Sequence, residues 1–284
     1  MVKVADYAGL ISTWCPGCGN FGILNAVKNA LVELGIEPYQ VLMVSGIGQA
    51  GKLPHYIKCN VFNSLHGRPI PPATGAKIAN PDLIVIAISG DGDAYGEGGN
   101  HFIHAVRRNH DLTYLVHNNQ IYGLTKGQAS PTSDAGFITK MTPYGASNPI
   151  NPIALAITCG ASFVGRGFAG DVEHLTDLIK AGITHKGFSL IDILQPCVSF
   201  NHRNTYDWYR QRIYKLEEEP NYETGDILSA FAKAQEWGDK IPIGVIYQQE
   251  RLTFEEQLPV LNKGLLVQKN IKPERIEDLL NELL

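Results

Sequence analysis

Short, nearly all-apolar runs are separated along the chain by segments whose apolar residues recur at helical spacing. The apolar runs predict buried parallel strands and read QVLMVSG, LIVIAISG, LTYLVHNN, SFVGRGF and SLIDILQ. The intervening segments predict crossover helices, as in GGNHFIHAVRRN and DVEHLTDLIKAGITH. This alternation is typical of an α/β fold in which helices cover both faces of a doubly wound, mainly parallel sheet, giving three layers.

A further helix is predicted near the start of the chain, in NFGILNAVKNALVELGI. Its apolar residues follow the helical period, Asn20 is suited to cap the first turn, and Gly35 is suited to end the helix. The helix therefore begins beside Cys18, the second cysteine of STWCPGCGNFG.

The sequence changes character at about residue 206. The segment TYDWYRQRIYKLEEEPNYETGD is charged and aromatic, and the end of the chain, KPERIEDLLNELL, predicts a short amphipathic helix with little core to join. We therefore divide the chain into a domain over residues 1–205 and a C-terminal extension over residues 206–284. We expect the extension to be peripheral and to contact another subunit.

Composition excludes several classes of function. The 284 residues are 44% hydrophobic, enough to fill a sizeable core, and the net charge of −4 comes without a basic stripe, so we expect no nucleic-acid partner. The first residues lack the pattern of a signal peptide, and the longest apolar run, LIVIAI at 83–88, is too short to span a bilayer. We therefore expect a cytoplasmic protein without a membrane partner, whose five cysteines remain thiols unless a metal holds them.

Glycine- and amide-rich loops follow three of the predicted strands. They read SGIGQAGK, SGDGDAYGEGG and HNNQIYG, and in a doubly wound sheet they meet at one edge, where ligands bind. Asp91 and Asn119 supply oxygen atoms suited to Mg²⁺, and Gly90 and Gly92 let backbone N–H groups approach phosphates. Each motif alone predicts only a turn. Their position after consecutive strands, with Asp91 and Asn119 28 residues apart, predicts a metal and phosphate site.

This spacing of GDG and NN resembles the signature of the thiamine diphosphate enzymes. The resemblance implies that the side chains of Asp91 and Asn119 and the carbonyl of Ile121 bind Mg²⁺. It also implies that Gly92 and Asp93 contact the diphosphate of the cofactor.

The wider sequence resembles the β subunit of 2-oxoacid:ferredoxin oxidoreductases, most closely the two-subunit enzymes for 2-oxoglutarate or a broad range of 2-oxoacids. The resemblance covers roughly residues 12–215 and is carried by WCPGCGN, VSGIG, LHGR, ATGAKIANP, GDGDAYGEGGNHFIHAVRRN, NNQIYGLTKGQASPTS and LQPC. It implies thiamine diphosphate, Mg²⁺ and a [4Fe–4S] cluster as cofactors. The implied reaction is the oxidative decarboxylation of a 2-oxoacid with coenzyme A, with 2-oxoglutarate the best candidate and ferredoxin the acceptor of single electrons.

The resemblance also implies a partner and further site residues. Thiamine enzymes activate the cofactor with a glutamate from a second domain, so an α subunit should complete the site. Lys52 is suited to bind a substrate carboxylate, and His66 resembles the histidine that contacts the cofactor in this family. We expect Asn20 near the diphosphate or thiazolium and Leu124 in the substrate pocket.

The pair Cys15 and Cys18 is compatible with a redox dithiol, a zinc site or a cluster. The family holds its cluster with four thiolates, and Cys15, Cys18 and Cys197 match three of them. The third family position, the cysteine of SGIGC, is Gln49 here, because the chain reads SGIGQ. We expect Cys59 to supply the missing thiolate and Cys159 to be a buried structural thiol.

Three alternatives to this function stay open. A non-redox thiamine-dependent decarboxylase or carboligase would share the GDG and NN motifs but need no cluster, so iron content separates it. An electron-transfer or scaffold protein would hold a cluster without binding thiamine diphosphate. Oxidation of pyruvate or indolepyruvate is a further variant, because part of the pocket comes from the α subunit.

Overall fold

The sheet at the centre of the molecule combines parallel strands with an antiparallel addition at one edge. A computed structural model describes residues 1–269 and 275–282. The strands in chain order are β1 Val41–Ser45, β2 Asn60–Asn63, β3 Ile84–Gly90, β4 Thr113–Asn118, β5 Ile121–Tyr122, β6 Gln128–Ala129, β7 Phe163–Phe168, β8 Ser189–Leu194, β9 Ile213–Lys215 and β10 Ile241–Gln248. The predicted runs coincide with β1, β3, β4, β7 and β8.

The α-helices flank this sheet. They are α1 Asn20–Glu33, α2 Ile70–Ala79, α3 Gly99–Arg108, α4 Pro152–Thr158, α5 Val172–Thr184, α6 Tyr206–Arg210, α7 Ile227–Gln235 and α8 Arg275–Asn281. A π-helical turn covers Gly92–Glu97, and 3-10 turns cover Val4–Tyr7, Pro38–Gln40, Ala50–His55, Leu216–Glu218, Glu255–Gln257, Leu261–Lys263 and Leu266–Gln268. Among the helices within the described ranges, none is long and apolar enough to cross a bilayer.

The order of the eight-stranded sheet is β2-β1-β3-β4-β8-β7-β10-β9. Neighbouring strands pair in parallel across the first six positions, which are β2, β1, β3, β4, β8 and β7. At the far edge, β10 pairs antiparallel with β7, and β9 pairs in parallel with β10. The chain passes from β1 outward to β2 and returns to β3 on the other side of β1. The loops after β1 and β3 therefore flank a topological switch point, where α/β sheets bind ligands.

Successive apolar residues of the inner parallel strands pack on opposite faces of the sheet, which gives the three layers that the sequence predicts. In β3, Val85 and Ala87 contact one core, whereas Ile86 and Ile88 contact the other. The first core also includes buried residues of α2, α3, α4 and α7, and the second includes those of α1 and α5. Both faces are covered, which explains why these strands read as continuous apolar runs.

The segment after residue 206 corrects the expectation of a peripheral extension. It adds β9 and β10 to the sheet, and Ile241 and Ile243 of β10 are fully buried. The chain passes from β9 through α7 to the parallel strand β10, and β10 joins the rest of the sheet by antiparallel pairing with β7. The division at residue 205 and the contact with another subunit stay predictions. Of the predicted C-terminal helix, Arg275–Asn281 is helical, while residues 272–274, 283 and 284 lie outside the described residues.

The start of α1 also differs from the sequence prediction. Gly19 precedes the first helical residue, and Asn20 is that first residue, so Asn20 does not act as the N-cap. Its side chain is used elsewhere, because Oδ1 accepts a hydrogen bond from Nδ1 of His117 at 2.7 Å. The end of the helix agrees with the prediction, since Gly35 follows it with a φ of +68°.

Candidate active site

A cavity of about 90 Å³ lies at the switch point, between the loops that follow β1, β3 and β4. Most of the site residues predicted from sequence line it together: His66, Gly90, Asp91, Gly92, Asp93, Asn119, Ile121 and Leu124. The other lining residues are Ile47, Gly48, Gln49, Ala50, Tyr122, Gly123 and Thr125. Residues far apart in sequence meet here because parallel strands present their carboxyl ends at one edge.

The buried carboxylate of Asp93 connects the loops around this cavity. Its Oδ1 accepts hydrogen bonds from the backbone N–H groups of Ile47 at 3.0 Å and Gly67 at 2.7 Å, and from Nδ1 of His66 at 2.7 Å. Its Oδ2 accepts from the hydroxyl of Ser89 at 2.5 Å. These donors engage both carboxylate oxygens, so any contact between Asp93 and a diphosphate would fall to its backbone N–H.

A close approach of the β1 loop to Asp93 requires glycine at residue 46. A Cβ atom at Gly46 would lie 1.8 Å from Oδ2 of Asp93. Real side chains do not tolerate such a distance, so the glycine of VSGIG is needed for packing. This explains one residue of the motif without reference to a ligand.

The second buried carboxylate, Asp91, is arranged differently. Its Oδ2 accepts hydrogen bonds from the hydroxyls of Ser130 at 2.5 Å and Thr132 at 2.7 Å, and neither hydroxyl uses Oδ1. Burial raises the pKa of Asp91 to about 6, although both hydroxyls oppose that rise. The ordinary pKa of an aspartate lies below 4. A cation bound beside the buried Asp91 would lower its raised pKa and so restore the ionised carboxylate.

The NN loop places two further oxygen donors beside Asp91. Gln120 has a φ of +57°, and its side chain is anchored by a hydrogen bond from Nε2 to the carbonyl of Thr132 at 2.8 Å. The backbone N–H of Ile121 donates to Oδ1 of Asn119 at 3.1 Å. Asp91, Asn119 and Ile121 thus line one cavity with a carboxylate, an amide oxygen and a main-chain carbonyl, a donor set that fits Mg²⁺.

A buried network behind this loop was not predicted from sequence. Asp192 on β8 accepts hydrogen bonds from Tyr95 Oη at 2.7 Å and from Nδ2 of Asn118 at 3.1 Å. Oγ1 of Thr132 lies 2.9 Å from Oδ1 of Asn118. The sequence carries two signals for this network: Asn118 is next to Asn119, and Thr132 lies within the motif ASPTS. The network holds Asn118 so that Asn119 can face the cavity.

Cys15, Cys18 and Cys197 line a second cavity of about 50 Å³, together with Asn20 and Gln49. It shares Gln49, Asn119 and Gly123 with the first cavity, so the two are direct neighbours. Cys15 is exposed, whereas burial raises the pKa of the Cys18 thiol to about 11. Nε2 of Gln195 lies 3.5 Å from the Cys18 sulfur.

Cys59 does not line this cavity, which corrects the expectation that it supplies a fourth thiolate. It directly precedes β2, whose parallel pairing with β1 places Asn60 opposite Leu42 and Asn63 opposite Ser45. Cys59 therefore lies at the amino ends of these strands, while the cavity lies beyond their carboxyl ends. At 3.3 Å per residue, β2 alone separates the two edges by about 10 Å.

The donor arrangement also bears on the zinc alternative. Within residues 1–269 and 275–282, no group of three or more Cys, His, Asp or Glu side chains is placed to hold a single metal ion. Structural zinc needs four such ligands around one ion. The three cysteines of the cavity do not provide that arrangement.

Three predicted residues outside the first cavity have distinct positions. Lys52 lies in the 3-10 turn Ala50–His55 and does not line either cavity. Asn20 lines the cysteine cavity and is held by His117, whose pKa burial lowers to about 3. The neutral ring therefore donates from Nδ1 to Asn20. Cys159 ends α4 and packs against the first core, as expected for a structural thiol.

Comparisons with known proteins agree with this arrangement. Residues 42–193 match a family model described as the thiamine pyrophosphate enzyme, C-terminal TPP binding domain. Residues 197–263 match a model that describes the C-terminal part of the pyruvate ferredoxin oxidoreductase beta subunit. The fold and the site thus define a thiamine pyrophosphate enzyme.

The relatives identify the family more narrowly. A 2-oxoacid:ferredoxin oxidoreductase subunit beta from Sulfolobus is 50% identical over 258 residues, with 86% of this chain and 85% of the relative covered. The 2-oxoglutarate synthase subunit KorB of Methanocaldococcus jannaschii is 38% identical over 253 residues, with 89% of this chain and 93% of the relative covered. The chain belongs to the family of 2-oxoacid:ferredoxin oxidoreductase β subunits.

A solved structure extends the likeness to the whole fold. The 2-oxoglutarate:ferredoxin oxidoreductase from Magnetococcus marinus, with 2-oxoglutarate, coenzyme A and succinyl-CoA bound, matches with a TM-score of 0.90 at 38% identity. The match covers 98% of this chain and 96% of that chain. It therefore includes the strands after residue 206 that the sequence did not predict.

Proposed function

We propose that this chain is the β subunit of a 2-oxoacid:ferredoxin oxidoreductase whose substrate is 2-oxoglutarate. In this reaction a 2-oxoacid and coenzyme A give an acyl-CoA and CO₂, while two electrons pass singly to two ferredoxins and a proton is released. The observation that carries the proposal is the direct contact between two cavities, one lined by Asp91 and Asn119 and the other by cysteines. A non-redox thiamine enzyme has no use for the second cavity.

Thiamine diphosphate and Mg²⁺ belong in the first cavity. Asp91, Asn119 and the carbonyl of Ile121 would hold the metal, and backbone N–H groups around Gly90 and Gly92 would contact the diphosphate. The cofactor supplies an electron sink for the electron pair left as CO₂ departs. His66, fixed by Asp93, lies at the edge of the cavity, and its ring can bind the cofactor or a substrate group there.

A [4Fe–4S] cluster belongs beside the second cavity, with Cys15, Cys18 and Cys197 as thiolate ligands. The cluster supplies a one-electron carrier. Burial disfavours the thiolate form of Cys18, so this thiol resists deprotonation in the metal-free chain. Iron binding would compensate for the free-energy cost of that deprotonation. Asn20, held by His117, lines the cysteine cavity beside the proposed cluster.

The enzyme requires an α subunit that contributes the glutamate for the aminopyrimidine of the cofactor. The chain matches the TPP-binding model over residues 42–193, which is the diphosphate-binding half. Ferredoxin is the electron acceptor and the extension after residue 206 contacts a partner subunit. We place the enzyme in the cytoplasm, where its cysteines stay reduced until iron binds.

The choice of 2-oxoglutarate rests on relatives whose names specify that substrate. They include the subunit from Methanocaldococcus jannaschii and the Magnetococcus marinus enzyme with 2-oxoglutarate and succinyl-CoA bound. Leu124, 44% exposed, is positioned at the cavity where a substrate chain would enter. Lys52 keeps a proposed role in binding the substrate carboxylate only if closure with the α subunit brings it to the cavity.

The test is CoA-dependent reduction of ferredoxin by the anaerobically purified αβ complex, with 2-oxoglutarate, pyruvate and indolepyruvate compared at equal concentration. We expect the highest kcat/KM with 2-oxoglutarate and no reduction by the Asp91→Asn variant. Release of an aldehyde without electron transfer would instead identify a non-redox decarboxylase. A cluster-containing complex that does not bind thiamine diphosphate would identify an electron-transfer protein.

A further inference from the structure

Gln49 occupies the position that separates the cysteine cavity from the cofactor cavity. It is half-buried and lines both cavities. Its main chain is fixed, because Nε1 of Trp14 donates a hydrogen bond to the Gln49 carbonyl at 2.8 Å. Trp14 immediately precedes Cys15, so this bond ties the Gln49 loop to the segment that carries the first two cysteines.

The remaining cysteines cannot take the fourth position without refolding. Cys59 lies at the amino ends of β1 and β2, where it packs against the second core, and burial raises the pKa of its thiol to about 12. Cys159 packs against the first core, on the opposite face of the sheet. Three cysteines and two glutamines, Gln49 and Gln195, therefore line the cysteine cavity. Gln195 lies beside Cys18 and donates to the carbonyl of Pro196, whereas Gln49 also reaches the cofactor cavity.

We propose that Cys15, Cys18 and Cys197 hold the cluster through three thiolates and that its fourth iron faces Gln49 without a protein thiolate. This inference rests on the proposed function, because it concerns the cluster of that same enzyme. Three thiolates carry one negative charge fewer than four. Replacement of anionic sulfur by a neutral ligand raises the reduction potential of an iron–sulfur centre, as it does where histidines replace cysteines.

A second consequence follows for the fourth iron itself. A neutral amide oxygen is a weaker ligand for iron than a thiolate, which is the soft anionic ligand that these clusters select. A small external thiol would therefore displace the amide there by binding as its thiolate, with its proton released to solvent and no change of oxidation state. Because Gln49 also lines the cofactor cavity, a thiol bound in its place would lie at the boundary between the two cavities.

The experiment compares wild type, Gln49→Cys, Gln49→Ala and Cys59→Ser, each as the anaerobically purified αβ complex with the full chain. Iron and sulfide are counted, the dithionite-reduced cluster is examined by EPR, and its potential is measured by dye-mediated titration. We expect Cys59→Ser to match wild type in all three readouts. We expect Gln49→Cys to keep full iron content, to have a more negative potential and to show a changed EPR spectrum.

Addition of 2-mercaptoethanol gives a readout that does not depend on activity. We expect it to change the EPR spectrum of wild type and of Gln49→Ala, and to leave Gln49→Cys unchanged. Loss of iron in Cys59→Ser with normal folding by circular dichroism would overturn the inference, as would a Gln49→Cys variant with the potential and thiol response of wild type. Wild type without iron would instead refute the proposed function, so the two failures are distinguishable.

Discussion

The buried carboxylate of Asp91 should destabilise the metal-free chain at neutral pH. Burial raises its pKa from 3.8 to about 6, a gap of about two units. Each unit corresponds to 1.36 kcal/mol, so ionisation inside the folded chain costs about 3 kcal/mol more than in the unfolded chain. The Asp91→Asn variant keeps the size of the side chain and an oxygen for the hydroxyls of Ser130 and Thr132 but cannot ionise.

The sign of the pH dependence follows from the raised pKa. Well below its unfolded pKa of 3.8, Asp91 is protonated in both states and the variant should match wild type, and at pH 4 the difference should still be under about 1 kcal/mol. As the pH rises toward 6, the unfolded chain ionises first, so the wild type loses stability relative to the variant. At pH 7.5 we expect Asp91→Asn to have a free energy of unfolding higher by up to about 3 kcal/mol.

Urea unfolding of the full chain in EDTA, followed by circular dichroism at pH 4 and pH 7.5, measures this difference. Asp93→Asn is the matched control, because Asp93 is equally buried but accepts hydrogen bonds from four donors, and an amide nitrogen cannot accept them. We expect that control to be destabilised at pH 7.5. A destabilised Asp91→Asn at pH 7.5, or a gain at pH 4 as large as the gain at pH 7.5, would refute the reasoning.

The remaining predictions concern the same site. We expect Gly46→Ala to lower the urea midpoint and the affinity for thiamine diphosphate, because the added Cβ would lie 1.8 Å from Asp93. The control variant Gly75→Ala has open space around the added Cβ, so its stability should be unchanged or higher. EDTA should weaken thiamine diphosphate binding at least tenfold by calorimetry, and Mg²⁺ rather than Zn²⁺ should restore it. Thr132→Val should weaken Mg²⁺ binding, because it removes a hydrogen bond to Asp91, whereas unchanged affinity would contradict the role of that hydroxyl.

The inner parallel strands β1, β3, β4, β7 and β8 could be predicted from sequence because they are buried on both faces, whereas the exposed edge strand β2 was not predicted. Such strands read as continuous apolar runs, as in β3 and β4. The later strands carry weaker signals: β10 contains a proline and a glycine in IPIGVIYQ, and β9 has only three residues. β10 joins the sheet by long-range pairing with β7, and β9 joins it by pairing with β10, and no local pattern encodes either contact.

The site shows the same distinction between local and long-range information. Asp91 and Asn119 were predicted because each follows an apolar run, and strand direction then brings them together. His66, Ile121 and Leu124 were predicted from the family resemblance. Cys59 was misplaced because its distance from Gln49 in sequence is short, while the 3-10 turn after Gln49 carries the chain back to the amino ends of the strands. His117 and Asp192 were missed because a buried polar residue within an apolar strand has no motif of its own.

The hydrogen bonds to Asp93 have a consequence for the entropy of cofactor binding. One carboxylate joins the loop after β1, the segment containing His66 and Gly67, and the end of β3. These segments are therefore ordered by the protein itself and not by the ligand. Thiamine diphosphate would enter a site whose backbone has already lost its conformational freedom, so that little of its binding free energy is consumed in arranging loops. Substitution of Asp93 should then reduce affinity mainly through an unfavourable entropy change.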